Sequence, residues 1–394
     1  MTMKVRVLYV AAVLVGSLWL TGCDHYNCGV TFGNSSCSSS SGTGVSQSGG
    51  SGSNGQAAVY LYFENAGNID AASVDTSGNF ALIPNFVSPT GTLSGTGNMI
   101  IVQKQWLYEP LTGGLSILSY SIDATTGALT TITGGPFASA DSNAITSDPA
   151  GKFVFVCGAD NDEVSVFSID QTSGALTFVG KYAANVGFAE QATTDGQGKF
   201  LYVTAGNLGG SVAVFSIGST GALTPAAGSP FSISIAQLQG EPTGKFLLGI
   251  TGNGANNGFA NDNHVYVYAI NQTTGVLTAV SGSPFSTQFT PATFSVHPSG
   301  SFVFTYNQTV TTSEPMEGFG FNSSTGAITE LGTSPFTAFT PFAGQFDQNG
   351  TYLFMHSADT FTVASVDTSS GAVTSVGLPI TGAGSLPTWA VTDP

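Results

Sequence analysis

The fold is decided by Lys199 to Phe231. This stretch runs Lys199-Phe-Leu-Tyr-Val-Thr204, Ser211-Val-Ala-Val-Phe-Ser-Ile217, Thr220-Gly-Ala-Leu-Thr224 and Gly228-Ser-Pro-Phe231. Two short apolar segments of strand character are separated by glycine-rich turns, in which Gly and Asn tolerate positive φ. In Ser211–Ile217, Val212 and Val214 alternate with Ala213, Phe215 and Ile217. Both faces of that strand are therefore apolar, and both must be covered.

The parts of this stretch recur. A Thr/Ser-Gly turn followed by Ala-Leu or a near relative stands at Gly127, Gly174, Gly221, Gly275, Gly326 and Gly371, with a degenerate copy at Thr76-Ser-Gly-Asn-Phe80. A second marker precedes these turns. It appears as Asp148-Pro-Ala-Gly-Lys-Phe153, Asp195-Gly-Gln-Gly-Lys-Phe200, Glu241-Pro-Thr-Gly-Lys-Phe246, His297-Pro-Ser-Gly-Ser-Phe302 and Asp347-Gln-Asn-Gly-Thr-Tyr352. A third, Ser/Gly-Pro-Phe, ends at Phe137, Phe231, Phe285 and Phe336. Around Gly221 the markers predict four strands, Gln191–Thr194, Phe200–Thr204, Ser211–Ile217 and Ala222–Ala226. Seven such units of about 48 residues predict an all-β, seven-bladed propeller over residues 56–394. The chain's last residues, Leu386 to Pro394, read as an innermost strand followed by half of the Asp-Pro-x-Gly-Lys turn. The other half of that turn, with a second strand, opens the domain at Asn54 to Tyr62. The ring should therefore close by pairing its C-terminal strand with the N-terminal blade, which removes a free edge.

Residues 1–22 carry Lys4 and Arg6 and then an apolar run from Val7 to Leu20, shorter than a membrane span of about 20 residues. The run ends Leu20-Thr-Gly-Cys23, which resembles the bacterial lipobox. That resemblance implies cleavage before Cys23 and lipidation of it, with the mature protein held at a membrane in the cell envelope, outside the cytoplasm. Residues 23–55 are dominated by Ser and Gly and read as a flexible linker. Cys28 and Cys37 lie inside it and could form a disulfide in an oxidising compartment. Cys157 falls in an apolar strand and reads as a buried thiol.

Only 8% of residues are charged, against roughly 25% in an average soluble protein. Beyond the signal segment the basic residues are Lys104, Lys152, Lys181, Lys199 and Lys245, against 23 acidic ones, and no arginine remains. Nucleic-acid binding needs a basic footprint and is excluded. A phosphorylated substrate is disfavoured, because no bidentate Arg–phosphate fork can form. No cofactor motif is present, and no His/Cys/Asp/Glu set has metal-ligand spacing. A monomer is expected.

The connections between second and third strands vary in length, with long inserts at 252–263 and 307–318. They share one rim, which is the expected recognition face. Candidate binding residues on that rim are Asp160, Asn253, Asp262, His264, Gln308, His356 and Asp359. Glu64 and Glu109 both end a second strand and are the candidate catalytic residues. His297 occupies a turn position held elsewhere by Asp or Glu and is expected to cap that turn.

The Asp-Pro-x-Gly-Lys-Phe-Leu-Tyr-Val-Thr, Val-x-Val-Phe-Ser-Ile-Asp and Thr-Gly-Ala-Leu patterns resemble the lactonase family of seven-bladed propellers. That family includes 6-phosphogluconolactonase-like and carboxymuconate-cyclase-like enzymes. The resemblance implies the same fold. It also implies a Gly-Pro-Arg-His run with a Glu after the following strand as the enzyme pattern. Here the corresponding positions hold Ala292, Thr293 and Gln308, and in the closing blade Thr388 and Trp389 follow Pro387, while Glu64 matches the glutamate. The expectation is therefore a lactonase-like binding or interaction module for an envelope protein, glycan or small molecule. Lactone hydrolysis is the alternative.

Overall fold

In the computed structural model, the residues described are 46–47, 57–65, 68–83, 98–111, 115–158, 160–205, 210–251, 262–307, 314–357, 359–382 and 388–393. Cys23, Cys28, Cys37, Asn253 and Gln308 lie outside them. Among the described residues every regular element is a strand, and no helix is long and apolar enough to cross a membrane.

The strands form seven antiparallel sheets. Blade 1 joins Trp389–Thr392 to Ala57–Asn65, Asn68–Asp75 and Phe80–Leu82. Blade 2 holds Ile100–Val102, Trp106–Leu111, Ser116–Ile122 and Leu129–Thr131. Blade 3 holds Ile145–Ser147, Phe153–Gly158, Glu163–Ile169 and Leu176–Ala183. Blade 4 holds Gln191–Thr194, Phe200–Thr204, Val212–Ile217 and Leu223–Pro225. Blade 5 holds Gln237–Gly240, Phe246–Ile250, His264–Ile270 and Leu277–Ala279. Blade 6 holds Thr293–Val296, Phe302–Tyr306, Glu317–Phe321 and Ile328–Glu330. Blade 7 holds Ala343–Phe346, Tyr352–Ser357, Thr360–Val366 and Val373–Thr381. The first strands of the seven blades adjoin one another in an unbroken cycle, so they line the axis and the ring is closed.

Closure takes the form the split turn predicts. Trp389–Thr392 pairs with the strand Ala57–Asn65 in the register Phe63↔Trp389, Tyr62↔Ala390, Leu61↔Val391 and Tyr60↔Thr392. Ser46 and Gln47 pair with Thr381 and Ile380, adding a short strand to the outer edge of blade 7. No side-chain pattern announces this, because the contact is made by backbone groups that any residue carries.

The repeat markers have packing explanations. Gly221 sits at φ +85°, and a Cβ there would lie 2.7 Å from the ring of Phe153 in the preceding blade. The same approach brings Gly275 against Phe200 and Gly326 against Phe246. The glycine thus serves both the turn and the seam between blades. Gly221→Ala combines a strained backbone with overpacking and should cost about 2–4 kcal/mol in denaturant unfolding. A variant as stable as the parent would contradict this account of the marker.

The second marker is a capped turn. Asp195 Oδ1 accepts from the backbone N–H groups of Lys199 (2.7 Å) and Phe200 (2.8 Å), and Asp148 and Glu241 act likewise. His297 takes the same place in blade 6. Its Nδ1 meets the Ser299 hydroxyl at 2.8 Å and its Nε2 meets the Gly350 carbonyl of the next blade at 2.8 Å. Burial lowers its pKa, opposed by the bond to Gly350. In the third marker, the Phe231 backbone exchanges two bonds with Val212, both 2.9 Å, and so pairs with the start of the third strand, on the edge that the fourth strand occupies further along. Cys157 is fully buried, and burial pushes its thiol far above the ordinary range.

Candidate functional site

Side chains alternate along a strand, so each second strand sends one set of residues to the next blade and the other to the preceding one. In blade 1, Tyr60 and Tyr62 face blade 2, where they pack with Leu107, Leu118 and Tyr120. Glu64 continues that row. In blade 2, Leu107 faces back towards blade 1, and Glu109 continues its row. In the innermost strand of blade 1, Ala390 belongs to the same cluster, and Thr388 lies two residues before it. Glu64, Thr388 and Glu109 therefore meet between blades 1 and 2, at the rim that carries the long connections.

This convergence rests on a one-residue offset. The Tyr62 hydroxyl donates to Gly127 O at 2.8 Å, and the Tyr108 hydroxyl donates to Gly174 O at 2.6 Å. The two tyrosines are thus equivalent, each reaching the glycine turn of the next blade. Glu64 comes two residues after its tyrosine and Glu109 only one after. They point to opposite sides of their own blades and so towards each other. In blade 4, Tyr202 makes the same bond to Gly275 O of blade 5 (3.0 Å), which places Glu109 where blade 4 has the fully buried Val203.

The Thr388 backbone carbonyl accepts from Glu64 N–H at 2.9 Å, which fixes the threonine beside Glu64. Its hydroxyl lies 3.5 Å from Glu64 Oε2 and 3.3 Å from Glu109 Oε1. Glu109 is 0% exposed, and its Oε2 has no hydrogen-bond partner. Burial, and then the Glu64 charge, push its carboxyl up to about 8, with the Thr388 hydrogen bond pulling the other way. At neutral pH Glu109 is therefore an uncharged acid beside the half-buried Glu64, able to donate a hydrogen bond or a proton. Positive charge lies elsewhere. Lys104, Lys152, Lys199 and Lys245 occupy the short turns of the opposite face, where Lys104 Nζ is 3.2 Å from Asp393 Oδ2. Lys181 is paired with Glu163 in blade 3.

The remaining sequence candidates are dispersed. Asp262 and His264 come together in blade 5: the Asp262 carboxylate meets His264 Nδ1 and also accepts the Tyr266 hydroxyl. Burial and that carboxylate raise the tyrosine's pKa above its ordinary value. Asp160 is exposed in the turn between the second and third strands of blade 3. His356 is buried against Phe361 in blade 7, with ring centroids 4.9 Å apart, and Asp359 is exposed nearby. Thr293 donates its hydroxyl to Phe342 O at 3.1 Å, a structural tie between blades 6 and 7.

Three participants were not among the candidate residues of the sequence reading. Thr388 is an ordinary threonine until the ring closes. Tyr266 follows Asp262 and His264 at strand period and was recoverable from that spacing. Glu317 is fully buried and accepts from Gln288 N–H (2.8 Å), Phe289 N–H (3.2 Å) and Asn307 Nδ2 (3.1 Å). It pins the connection from blade 5 to blade 6, and its burial raises its pKa against those bonds.

Comparisons with known proteins agree with the ring. Solved structures of similar fold include a candidate 6-phosphogluconolactonase of Bacteroides uniformis, 15% identical, with a TM-score of 0.64 over 84% of this chain and 98% of that one. A periplasmic gluconolactonase of Pseudomonas aeruginosa is 16% identical, with a TM-score of 0.61 over 84% of this chain and 99% of the other. At such identities the likeness speaks for the fold alone. No match was found among curated proteins. The family model described as lactonase, 7-bladed beta-propeller, matches residues 52–189 and 192–339. The chain therefore belongs to the lactonase family of seven-bladed β-propellers.

Proposed function

We propose that this lactonase-family propeller is a non-catalytic binding module, held by a lipid at Cys23 outside the cytoplasm, with its ligand site between blades 1 and 2. The observation that carries the reading is the pair Glu64 and Glu109, gathered around one hydroxyl in a domain without arginine, where the one rim lysine among the described residues, Lys181, is paired with Glu163 and Asp141 in blade 3. Lactone hydrolysis needs a group that activates water and donors that hold the developing oxyanion. The Arg-His positions of the enzyme pattern hold Ala292 and Thr293 instead. The pair suits a neutral, hydroxyl-rich ligand, such as a glycan or a small polyol, whose hydroxyls donate to Glu64 and accept from protonated Glu109.

The deciding measurement is calorimetric titration with neutral oligosaccharides, run beside a hydrolysis assay on uncharged sugar lactones. Binding without turnover is expected, and it should be lost in Glu64→Gln and Glu109→Gln. A second reading, hydrolysis of a neutral lactone, is favoured by the carboxyl of Glu109 titrating near 8. Turnover that disappears in Glu64→Gln would establish that reading and sink the first. For the anchor, Cys23→Ser should move the protein into the soluble fraction, and continued membrane association would refute lipidation.

A further inference from the structure

The short turns on the face opposite the long connections touch one another from blade to blade. Gln103 Nε2 donates to Ala150 O at 2.7 Å, joining blades 2 and 3, and Gln197 Nε2 donates to Thr243 O at 2.9 Å, joining blades 4 and 5. His297 Nε2 donates to Gly350 O between blades 6 and 7. At the closing seam the joint is made by charged groups instead. Asp347 stands in the turn of blade 7, Asp393 directly follows the innermost strand of blade 1, and Lys104 stands in the turn of blade 2. Lys104 Nζ lies 3.2 Å from Asp393 Oδ2, and the carboxyls of Asp347 and Asp393 are within hydrogen-bond reach of each other.

Two carboxyls so placed have a bonding problem that one proton solves. Asp347 is 2% and Asp393 4% exposed. Asp347 Oδ1 accepts from Tyr352 N–H at 2.7 Å, whereas Asp393 Oδ1 has no hydrogen-bond partner. With both ionised, like charges repel in a dry place and neither group can donate to the other. A proton on Asp347 turns the contact into a charge-assisted O–H···O⁻ bond to Asp393, which keeps its lysine as well.

We propose that Asp347, Asp393 and Lys104 form a pH-sensitive clasp across the closing seam, drawn tight when one proton is shared by the two carboxyls and slack when it leaves. The clasp is independent of the ligand reading and lies on the opposite face. Burial first, with the Asp393 charge among the lesser causes, raises Asp347 from 3.8 to about 6, against the pull of the Tyr352 N–H. A carboxyl raised on folding contributes stability below its ordinary pKa and loses it as pH rises through the folded value. The clasp is therefore closed at about pH 4.5 and largely released by about pH 7.5.

Other titratable groups face the cluster. Tyr352 donates its hydroxyl to Thr76 O at 2.8 Å, near Asp75, and burial raises its pKa. His297 of blade 6 reaches the turn of Asp347 at Gly350, and burial lowers its pKa. A proton gained by His297 in acid would remove the Nδ1 acceptor of Ser299 N–H and act in the opposite sense. Glu64 and Glu109 lie beyond the far end of the same innermost strand, beside Thr388.

The test is hydrogen exchange of the full chain, read by mass spectrometry at pH 4.5, 6 and 7.5 and expressed as protection factors so that the intrinsic pH dependence cancels. Protection of Trp389–Thr392 should fall on the order of tenfold from pH 4.5 to 7.5, relative to Phe200–Thr204 in blade 4. In Asp347→Asn the amide keeps a donor towards Asp393 at every pH, so the fall should vanish with protection left high. Asp393→Asn removes the like charge and offers Asp347 a donor, and should shrink the fall. Glu109→Gln should retain it. Circular dichroism would verify that each variant is folded. Equal relative protection at all three pH values in the unsubstituted protein overturns the proposal. So does a fall that survives in folded Asp347→Asn, or one that disappears in Glu109→Gln and so originates on the other face.

Discussion

Glu109→Gln is expected to stabilise the protein above pH 8 by about 2–4 kcal/mol and to leave its stability at pH 4.5 almost unchanged. The folded carboxyl is raised from 4.5 to about 8. Below pH 4.5 both folded and unfolded chains carry the proton, and the group contributes no pH dependence. Between about 4.5 and 8 the unfolded carboxyl ionises while the folded one keeps its proton. Stability therefore falls as pH rises through that window and levels off above it. Asp347 adds a slope of the same sign at lower pH. Burial first, and neighbouring Asp393 among the lesser causes, raises it from 3.8 to about 6. The exposed turn residue Asp367 acts oppositely. Hydrogen bonds from Ser369 and Ser370 lower its pKa to about 2, so its small contribution is lost as pH falls below the ordinary carboxylate range. Urea unfolding at pH 4.5, 6 and 8.5 would read these slopes. Parallel curves for wild type and Glu109→Gln would show that Glu109 is already ionised in the folded protein.

Removing Thr388–Pro394 is expected to have the larger effect on folding, a loss of more than about 5 kcal/mol and of cooperative melting. The deletion takes away four residues paired with Ala57–Asn65, together with the buried side chains of Ala390, Val391 and Thr392. It strips the inner edge of blade 1 and exposes apolar residues that Ala390 and Val391 now cover on both sides. A truncated chain that melts like the parent would disprove closure by this strand. The same deletion removes Thr388, so ring closure and site assembly are one event. Thr388→Val separates them: it keeps the strand but removes the hydroxyl that lies between Glu64 and Glu109.

The fold was legible because its repeat markers mark physical necessities. Gly221 and its counterparts from Gly127 to Gly371 cannot carry a side chain without striking an aromatic ring of the preceding blade, and at Gly78 the obstacle is Val376. Asp195 and its counterparts cap a turn that has unsatisfied N–H groups. Such requirements recur with every blade, so they surface as spacing. The site follows no repeat. Glu64 and Glu109 could be singled out as acids at the ends of apolar strands, but reading them as equivalent positions hid their opposition. Aligning the two strands on Tyr62 and Tyr108 reveals the offset, and strand alternation then turns one carboxyl towards the other. Thr388 was noted after Pro387 but given no role, for a different reason. It enters the site only through pairing between chain ends more than 300 residues apart. Asp262, His264 and Tyr266 lie between these cases, because their spacing of two is visible but the shared carboxylate is not.

The pairing of Ser46–Gln47 with blade 7 has a mechanical consequence. The chain crosses the seam there: residues 46–47 lie on blade 7, whereas residues 57–65 form an interior strand of blade 1. A pull applied from the N-terminal side would first meet the few backbone bonds to Ile380 and Thr381. Only after these part would load reach Ala57–Asn65, which is held on both edges by Trp389–Thr392 and Asn68–Asp75. In single-molecule stretching the bonds of Ser46 and Gln47 to blade 7 should part at a lower force than that at which any blade yields.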